Sequence, residues 1–458
     1  MTTTSLQDVL DAAPTPLRAL RDLPFVDPIE IDGLVPEYTN WRREQTVWHK
    51  SAALMDQSHH MLDLWVTGPD AYEALGRLTA GSYTKFRNYS AKQYIAVSPE
   101  GYIIGDGILI RYSEDSFHLI GDMPLVSWVK FNLETGDADV TLDLDLSTPL
   151  RGGKPPRNFR YEIQGPDALK IIAKATVGEL PDTKFFGLED LEIAGHKLHG
   201  LRHGMAGQPG LELYGPWAAG DEVRAALLEA GAEYGIEEVG FRAYWTSCLE
   251  SGWLCVELPA TVASPSTRAY REWLPAEWAT AFALGGSYDS ENIEDYLISP
   301  FALGYGKFIE YDRDFVGKEA LLAQKDETPR RTKVTLIWDD EDLGAVVRAL
   351  VRPEDGLPPQ GFHFHDAAFA QNQDDAIQID GKTVGFAVQG AYLASHRRFV
   401  SLAVIDTEFA TPGTEAVLVW GDSLTQPRKD VEEHRQFPIR VTVAPAPFDT
   451  FAREQYRK

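Results

Sequence analysis

The stretch LDLWVTGPDAYEALGRLTA (62–80) decides the fold, because FRYEIQGPDALKIIAKAT (159–176) repeats its pattern. Each copy has an alternating strand, then Gly-Pro-Asp-Ala, then the start of an amphipathic helix. In each copy the glycine ends the strand and the aspartate falls near the N-terminus of the helix. Two copies at this long spacing are too few for a solenoid. They indicate a duplicated strand–helix–strand half-domain.

Further strands follow each copy of the repeat. The stretch KQYIAVSPEGYIIGDGILIRYSEDSFHLIGD (92–122) predicts three strands with turns at SPEG and SEDS. After the second copy, LEIAGHKLHGLRHG (191–204) and GLELYGP (210–216) are strand-like, and DEVRAALLEAGAEYG (221–235) predicts a helix. We place a boundary near residue 330. The strand-rich stretch beyond it predicts a small barrel or sandwich.

Length and charge limit the possible functions. The chain has 458 residues, with 43 Lys plus Arg against 69 Asp plus Glu, a formal net charge of −26. Hydrophobic residues make up 44% of the chain, which excludes disorder and collagen. The acidity argues against nucleic acid or an anionic membrane as a partner, because both require a basic surface.

The compartment is predicted from the N-terminus and the cysteines. MTTTSLQDVLDAAPTP (1–16) lacks the basic and apolar regions of a secretory signal, and no stretch approaches 18 uncharged apolar residues. Cys248 and Cys255 are too few for a structural zinc site or a disulfide framework. We therefore expect a cytoplasmic protein with reduced thiols.

Generic catalytic motifs do not identify an enzyme here. GYIIGDG (101–107) lacks both the lysine of a phosphate loop and the glycine spacing of a dinucleotide site, and no GxSxG elbow is present. The polar run 56–60, DQSHH, lies between a helix end and an apolar strand. Such a run either caps a turn or lines a site, and the residues alone slightly favour a cap.

Histidines are the candidate metal ligands. One group has a spacing that would suit a metal on a helix: His196, His199 and His203. That stretch is strand-like and interrupted by glycines, so a structural or surface role is favoured. His363 and His365 could share one strand face beside Asp366, but a clear third ligand is missing. We expect no metal site.

Longer motifs resemble a known family. They occur in the family's order from about residue 40 to the end of the chain: SAALMDQSHHMLDLWVTGPDA, KQYIAVSPEGYIIGDGILI, GLELYGP, SCLESGW and PFALGYGKFIEYDRDFVGKEAL. This ordered set resembles the glycine-cleavage T-protein (aminomethyltransferase) family. TRAYREWLP, GGSYDSENIEDYLISPFALGYG and FRAYWTSCLESGW are closer to the tetrahydrofolate-dependent aromatic O-demethylases and the sesamin-metabolising enzyme.

The resemblance implies an α+β fold of three subdomains arranged as a cloverleaf around a central folate channel, with a C-terminal β-barrel. The implied divisions are a helical extension (1–50), a first folate-binding subdomain (51–155), a second one (156–330) and the barrel (331–458). No nucleic-acid or membrane partner is expected. The implied cofactor is tetrahydrofolate, and the implied ligand is a small aromatic ether.

The resemblance also assigns folate-binding residues. Glu212 takes the place of the carboxylate that accepts both hydrogen bonds of the pterin amine and ring N–H. Tyr94 matches an aromatic residue that packs near the pterin, and Ile120 a backbone contact to it. Asp106 matches the second member of an Asp-Asp pair near the reactive nitrogen, but the first member is Gly105 here. Asp106 alone could tune that nitrogen or bind folate, or it could be a turn residue.

The most informative departure is at Tyr244, where aminomethyltransferases carry an arginine. Cleavage of an aryl ether expels a phenolate, and tyrosine and phenol share a pKa of about 10. A tyrosine is therefore suited to protonate the leaving oxygen. The alternative is a core tyrosine beside Trp245. Gln57 and His60 would lie across the pocket and bind the substrate oxygens, whereas His59 is expected to be structural.

A second departure concerns the charge of the substrate. Vanillate-type demethylases carry an arginine, which pairs with the substrate carboxylate, where this chain has Asp122. A carboxylate there would repel an aromatic acid, so we expect a neutral substrate such as a guaiacol-type phenol or sesamin. Arg268 or Arg271 could restore binding of an acid.

The expected function is a tetrahydrofolate-dependent one-carbon transferase. It would cleave the methoxy or methylenedioxy group of an aromatic substrate, giving a phenol or catechol and methyl- or methylene-tetrahydrofolate, without a metal. One alternative is the aminomethyltransferase of glycine cleavage, with a lipoyl carrier protein as partner. Another is a folate-binding scaffold without catalysis.

Overall fold

Three β-sheets form the framework of the protein. The structure is a computed structural model that describes residues 4–24, 32–256, 258–352, 356–361, 364 and 373–456. Its strands in chain order are β1 Ala52–Asp56, β2 Leu62–Thr67, β3 Ser90–Val97, β4 Ile103–Arg111, β5 Ser116–Gly121, β6 Thr141–Asp145, β7 Asn158–Gln164, β8 Leu188–Ile193, β9 His196–Leu201, β10 Gly210–Pro216, β11 Ile236–Val239, β12 Arg331–Trp338, β13 Asp375–Ile379, β14 Lys382–Leu393, β15 Arg398–Asp406, β16 Glu415–Trp420 and β17 Phe437–Ala444.

Short helices connect and cover these strands. They are α1 Leu6–Asp11, α2 Pro16–Arg21, α3 Trp41–Glu44, α4 Val47–Lys50, α5 Ala71–Arg77, α6 Met123–Thr135, α7 Ala168–Ala175, α8 Gly220–Gly231, α9 Phe241–Ser251, α10 Arg268–Trp273, α11 Lys318–Gln324, α12 Asp340–Val351 and α13 Thr450–Glu454. No described helix is long and apolar enough to cross a membrane.

The first two sheets share one arrangement. The first has the order β3-β4-β5-β2-β6, and the second has the order β8-β9-β10-β7-β1-β11. In each, the strand of the Gly-Pro-Asp-Ala repeat pairs antiparallel with the last of the three strands that follow it: β2 with β5, and β7 with β10. The repeat in the sequence therefore corresponds to a repeat in the strand pairing.

Strand β1 crosses between the two halves. It precedes β2 in the chain, yet it pairs antiparallel with β7 and parallel with β11 in the second sheet. The corresponding position beside β2 is filled by β6. The predicted division at residues 155 and 156 thus separates β1 from the strands with which it pairs, and the domain boundaries stay predictions.

The glycine of each repeat is required by its turn. Gly68 and Gly165 both have φ of +139°. A Cβ at Gly68 would lie 2.4 Å from the carbonyl oxygen of Asp139, and the closest contact at Gly165 would be 2.3 Å. Asp70 and Asp167 occupy the N-cap positions, but neither side chain caps its helix. Asp70 accepts a hydrogen bond from the Asp139 N–H instead, at 2.8 Å.

Helices cover one face of each of these sheets and leave the other face toward the neighbouring sheet. Helix α6 lies on the first sheet, where Gly107 leaves room for Leu125. Helices α7 and α8 pack on the second sheet. The hydroxyls of Tyr112 and Tyr214 meet at 3.0 Å between the two uncovered faces. Polar side chains on these two faces can therefore meet.

The C-terminal part forms the predicted barrel. The six strands close in the order β12-β15-β14-β13-β16-β17. Its interior is apolar, with Leu336 and Leu418 fully buried. The α+β fold class with a C-terminal barrel is confirmed. Residues 260–330, which have no clear sequence pattern, contain short helices and irregular segments.

Candidate active site

A buried ion-pair network joins the two halves. One nitrogen of the Arg160 guanidinium lies 2.5 Å from Asp63 on β2, and the other lies 2.5 Å from Glu212 on β10. His118 on β5 contacts the same Asp63 oxygen at 2.6 Å. Asp63 and Arg160 each lie five residues before the glycine of their repeat. The repeat thus brings opposite charges together between the sheets.

Two carboxylates lie side by side on the second sheet, and we call Glu162 and Glu212 the acidic pair. They are cross-strand partners on β7 and β10, and both are buried. Burial opposes ionisation of Glu212, but Arg160 and then His203 lower its pKa to about 2. Burial raises the pKa of Glu162 to about 8, and the charge of Glu212 adds to the rise. The pair therefore holds one ionised and one mostly neutral carboxyl near pH 7.

The polar run after β1 supplies both a site and a cap. Gln57 is buried and donates a hydrogen bond from its amide nitrogen to Glu162. Ser58 donates to Asp56 at 2.5 Å and accepts a hydrogen bond from the Arg160 N–H at 2.9 Å. His59 Nδ1 lies 2.9 Å from the hydroxyl of Thr148, as a structural role requires. The run therefore caps a turn while Gln57 reaches the acidic pair.

Tyr244 lies in the first turn of α9, and its hydroxyl faces His60. The two side chains meet at 3.3 Å between the hydroxyl and Nε2. Burial, and next the charges of Glu162 and Glu212, raise the pKa of Tyr244 well above its ordinary value. Burial lowers the pKa of His60 to about 3, with Arg160 contributing. Tyr244 is therefore a firmly protonated donor beside a neutral imidazole.

Asp106 belongs to a different cluster. Its carboxylate accepts hydrogen bonds from the Trp253 indole at 3.0 Å, from the Tyr305 hydroxyl at 2.9 Å and from Gln93. Burial raises its pKa, while the hydrogen bonds from Trp253 and Tyr305 oppose that rise. The structure thus gives Asp106 more partners than a turn residue needs. It makes no direct contact with Tyr244 among the described contacts.

Two of the predicted folate contacts lie on opposite faces of the first sheet. Ile120 pairs with Asp63 and faces the second sheet. Tyr94 lies on the helix-covered face, and its hydroxyl donates to the Leu75 carbonyl at 2.7 Å. Its predicted packing against a pterin is not supported by this placement.

Asp122 is the N-cap of α6. Its side chain accepts a hydrogen bond from the Leu125 N–H at 3.1 Å and lies beside Gly105. Burial raises its pKa to about 7, and the charge of Asp106 adds to that rise. An aspartate with this pKa is only partly charged near neutral pH, which weakens the argument for a neutral substrate.

The candidate arginines and histidines have other roles. Arg271 is buried and donates to the Thr261 and Ser264 carbonyls at 2.7 Å, and Arg268 forms exposed ion pairs. Neither placement provides for an acidic substrate. The three candidate histidines on and after β9 meet different carboxylates: His196 meets Glu222, His199 meets Asp190 and His203 meets Glu212. His363, His365 and Asp366 lie outside the described residues.

The residues around the acidic pair fit a polar aromatic ligand. The side-chain oxygen of Gln57 and the Nδ1 of His60 are buried and have no hydrogen-bond partner among the residues that the structure describes. Unpaired buried polar atoms are costly and usually indicate a ligand or water. Together with the ionised Glu212 they offer acceptors and a donor of the kind that a pterin and a phenol use.

Sequence reasoning missed Asp63, Arg160 and Glu162, and it gave His203 only a structural or surface role. The signal was present, because FRYEIQ places two charges within a strand that is otherwise apolar and must be buried. Charged residues at such positions are rarely fully buried without partners. An alignment of the two repeats would also have placed Asp63 and Arg160 at equivalent positions.

Comparison with known proteins identifies the family. The model of the GCVT N-terminal domain matches residues 35–260. A syringate O-demethylase from a Sphingobium species is 40% identical over 454 residues, which covers 99% of this chain and 97% of that protein. The chain belongs to the GCVT family. The resemblance to the glycine-cleavage T-protein family is thus confirmed.

A second sequence relative and a solved structure are also similar to this GCVT protein. A sesamin methylene transferase from a Sinomonas species is 28% identical over 397 residues, covering 84% of this chain and 82% of that protein. The crystal structure of the glycine-cleavage aminomethyltransferase T from Bartonella henselae has a TM-score of 0.58 and 18% identity, and the match covers 93% and 91% of the two chains. That structure shows that the fold of this GCVT protein is shared.

Proposed function

We propose that this protein is a tetrahydrofolate-dependent one-carbon transferase that cleaves an aryl ether. The observation that carries the proposal is the protonated Tyr244 hydroxyl, held beside a neutral His60 and the acidic pair. The similarity to a syringate O-demethylase and to a sesamin methylene transferase supports the same class of reaction.

Glu212 is the proposed anchor of the cofactor. It is ionised and buried, so it can accept hydrogen bonds from two adjacent N–H groups of a pterin. Arg160 and His203 hold its carboxylate in place. When bound, tetrahydrofolate supplies the nitrogen that accepts the one-carbon group. Ile120, on the face directed at the second sheet, is the proposed backbone contact.

Tyr244 is the proposed acid for the leaving oxygen. Burial and the acidic pair raise its pKa above that of a phenol, so the hydroxyl stays protonated and would stabilise the developing phenolate by donating a hydrogen bond. Without substrate the Tyr244 hydroxyl donates to Nε2 of His60, so the imidazole carries its own proton on Nδ1. When the ether binds, the hydroxyl would turn from Nε2 to the leaving oxygen. That Nδ1–H is buried without a partner among the described residues and can donate to a second substrate oxygen.

Gln57 is the proposed contact to a substrate hydroxyl. Its amide nitrogen is bound to Glu162, which leaves the side-chain oxygen as an acceptor. An acceptor suits the O–H of a phenol next to the ether. Asp106, with Trp253 and Tyr305, lies farther along the first sheet and is proposed to support the cofactor.

The central experiment is Tyr244→Phe. The variant should bind tetrahydrofolate with unchanged affinity and lose roughly 100- to 10,000-fold in turnover, the usual contribution of a positioned acid. Phenol formation by chromatography and folate binding by calorimetry measure the two quantities. Tyr296→Phe removes an equally buried hydroxyl, one that donates to the Tyr288 carbonyl, and serves as the matched control. Unchanged turnover in Tyr244→Phe would exclude the role assigned to Tyr244.

A substrate panel tests the reaction itself. Syringate and vanillate are aromatic acids, whereas guaiacol and sesamin are neutral. Turnover of the acids alone would show that Asp122 does not exclude anions, and turnover of sesamin would show methylene transfer. Tight tetrahydrofolate binding without turnover of any aryl ether would support a folate-binding scaffold. Activity with an aminomethylated lipoyl carrier protein would support an aminomethyltransferase.

A further inference from the structure

A second cluster of titratable side chains lies at the far end of α9. Glu250 is fully buried there, and His49 and His396 flank its carboxylate. The Nε2 of His49 lies 2.8 Å from Oε2 of Glu250, and the Nε2 of His396 lies 3.6 Å from Oε1. We call these three residues the His-Glu-His cluster. Their ligand atoms all lie within 4.8 Å of one another.

His396 carries the argument. Its Nε2 is buried and has no hydrogen-bond partner among the described residues. Two carboxylates nevertheless approach it, Glu250 at 3.6 Å and Asp449 at 4.0 Å. These distances are too long for hydrogen bonds. The separation from Glu250 is close to the roughly 3.3–3.5 Å between two ligand atoms bound to one tetrahedral zinc ion.

Two further hydrogen bonds fix the orientation of the Glu250 carboxylate. The indole N–H of Trp48 donates to Oε2 at 2.9 Å, and the hydroxyl of Ser395 donates to Oε1 at 2.9 Å. Hydrogen bonds of this kind fix the ligands in known metal sites. The side chains of His49 and His396 are 23% and 24% exposed, so an ion can enter from solvent.

A protonated His49 without a bound cation would explain only part of this arrangement. An imidazolium at His49 would neutralise Glu250 across their 2.8 Å contact. It would not explain why His396 Nε2 is buried between two carboxylates without a hydrogen bond. One cation accounts for both histidines and Glu250.

We propose that the His-Glu-His cluster binds one divalent cation of the zinc class, with Asp449, whose carboxylate lies 4.0 Å from His396, as the nearest further carboxylate to complete the ligands. Two imidazoles and two carboxylates suit such an ion. The site joins α4, α9, the turn between β14 and β15, and the start of α13. Glu250 follows Tyr244 by six residues, about 9 Å along the helix axis. The ion would hold the helix that carries Tyr244 without touching the substrate.

Zinc titration of the untagged, full-length protein tests the proposal. The protein is first treated with a chelator and then titrated with zinc chloride by calorimetry. One zinc ion should bind per chain, and the thermal midpoint should rise with zinc concentration. Cobalt(II) in place of zinc should give visible absorption bands of a four- or five-coordinate site.

His396→Ala should abolish both the binding heat and the cobalt bands. His196→Ala is the matched control, because His196 pairs with the exposed Glu222 instead, and it should bind zinc as the wild type does. His49→Gln serves as a second variant if His396→Ala does not fold by circular dichroism. The proposal is overturned if the wild type binds no zinc, or if a folded His396→Ala or His49→Gln binds it with wild-type affinity.

Discussion

The two halves of the repeat place different chemistry at the same pair of strand positions. Three residues before the glycine, the first half has Trp65 and the second has Glu162. Trp65 pairs with His118 across the strands, and Glu162 pairs with Glu212. Trp65 and His118 stack with ring centres 4.4 Å apart. The first half thus closes its surface with aromatic rings, while the second presents two carboxyls.

Asp63 and Arg160 connect these two surfaces. They occupy equivalent positions in the repeat and bind each other across the interface. Arg160 also pairs with Glu212 in its own half, so Asp63 of the first half holds the cation that neutralises Glu212 of the second. A duplication can therefore divide its work, one copy supporting the charges that the other presents to a ligand. Substitutions at equivalent positions of the two halves test this division.

The largest effect is expected from Arg160→Met. The substitution leaves Asp63 and Glu212 buried without their cation, which should cost roughly 3–5 kcal/mol of unfolding free energy. Urea unfolding measures it. Arg157→Met is the control, because the exposed pair of Arg157 with Asp143 should contribute less than about 1 kcal/mol. Equal losses in the two variants would refute the central role of Arg160.

Glu162→Gln should change how stability depends on pH. The pKa of Glu162 is about 8 in the folded protein against an ordinary 4.5, so the unfolded chain releases a proton that the folded protein keeps. The wild type therefore loses stability as pH rises from 4.5 to 8, by at most about 1.4 kcal/mol for each pKa unit.

Glu162→Gln should remove this loss, which urea unfolding at pH 5, 6, 7 and 8 would reveal as a flatter profile. Glu192→Gln, on an exposed position of β8, should keep the wild-type slope. Parallel profiles for Glu162→Gln and the wild type would mean that Glu162 is ionised in the folded protein.

Glu212→Gln should weaken tetrahydrofolate binding by roughly 10- to 100-fold, because a charge-assisted hydrogen bond contributes about 1.5–3 kcal/mol. Isothermal titration calorimetry measures the affinity. Glu192→Gln is again suitable as a control. Unchanged affinity in Glu212→Gln would move the cofactor anchor away from the acidic pair.

The smallest effect is expected from Trp65→Phe. It shortens the stack on His118 and weakens the contact with Arg157, whose guanidinium lies 5.3 Å from the ring centre. The loss should be about 1 kcal/mol of unfolding free energy, with turnover unchanged. A loss of turnover comparable with that of Tyr244→Phe would show that the aromatic surface takes part in the reaction.

Local patterns predicted the repeat and the strands that follow each copy, but they predicted a helix end where β1 Ala52–Asp56 lies. They left a barrel and a sandwich open, and the resemblance favoured the barrel. The Gly-Pro-Asp-Ala turns and alternating strands are short-range signals, and the structure shows both. The resemblance pointed to Glu212, a member of the acidic pair, and to Gln57, His60 and Tyr244, which the structure places near that pair. Their roles stay predictions until variants are measured.

The sequence could not predict which residues far apart in the chain lie close together in the structure. The fully buried Glu162 becomes interpretable only when β10 places Glu212 beside it. Sequence spacing could not show that Tyr94 lies on the helix-covered face, or that Asp122 caps α6. The His-Glu-His cluster draws on three separate regions of the chain, and no local motif connects them.

The pairing of β1 with strands of the second sheet has a consequence for synthesis on the ribosome. Residues 52–56 are made long before β7 and β11, the strands with which they pair. The sheet of β2 to β6 can assemble first, but β1 must wait for about another hundred residues of chain. A nascent chain stopped after β6 would display an unpaired apolar strand, a surface that chaperones bind. The two halves therefore complete their folding together, although one is translated well before the other.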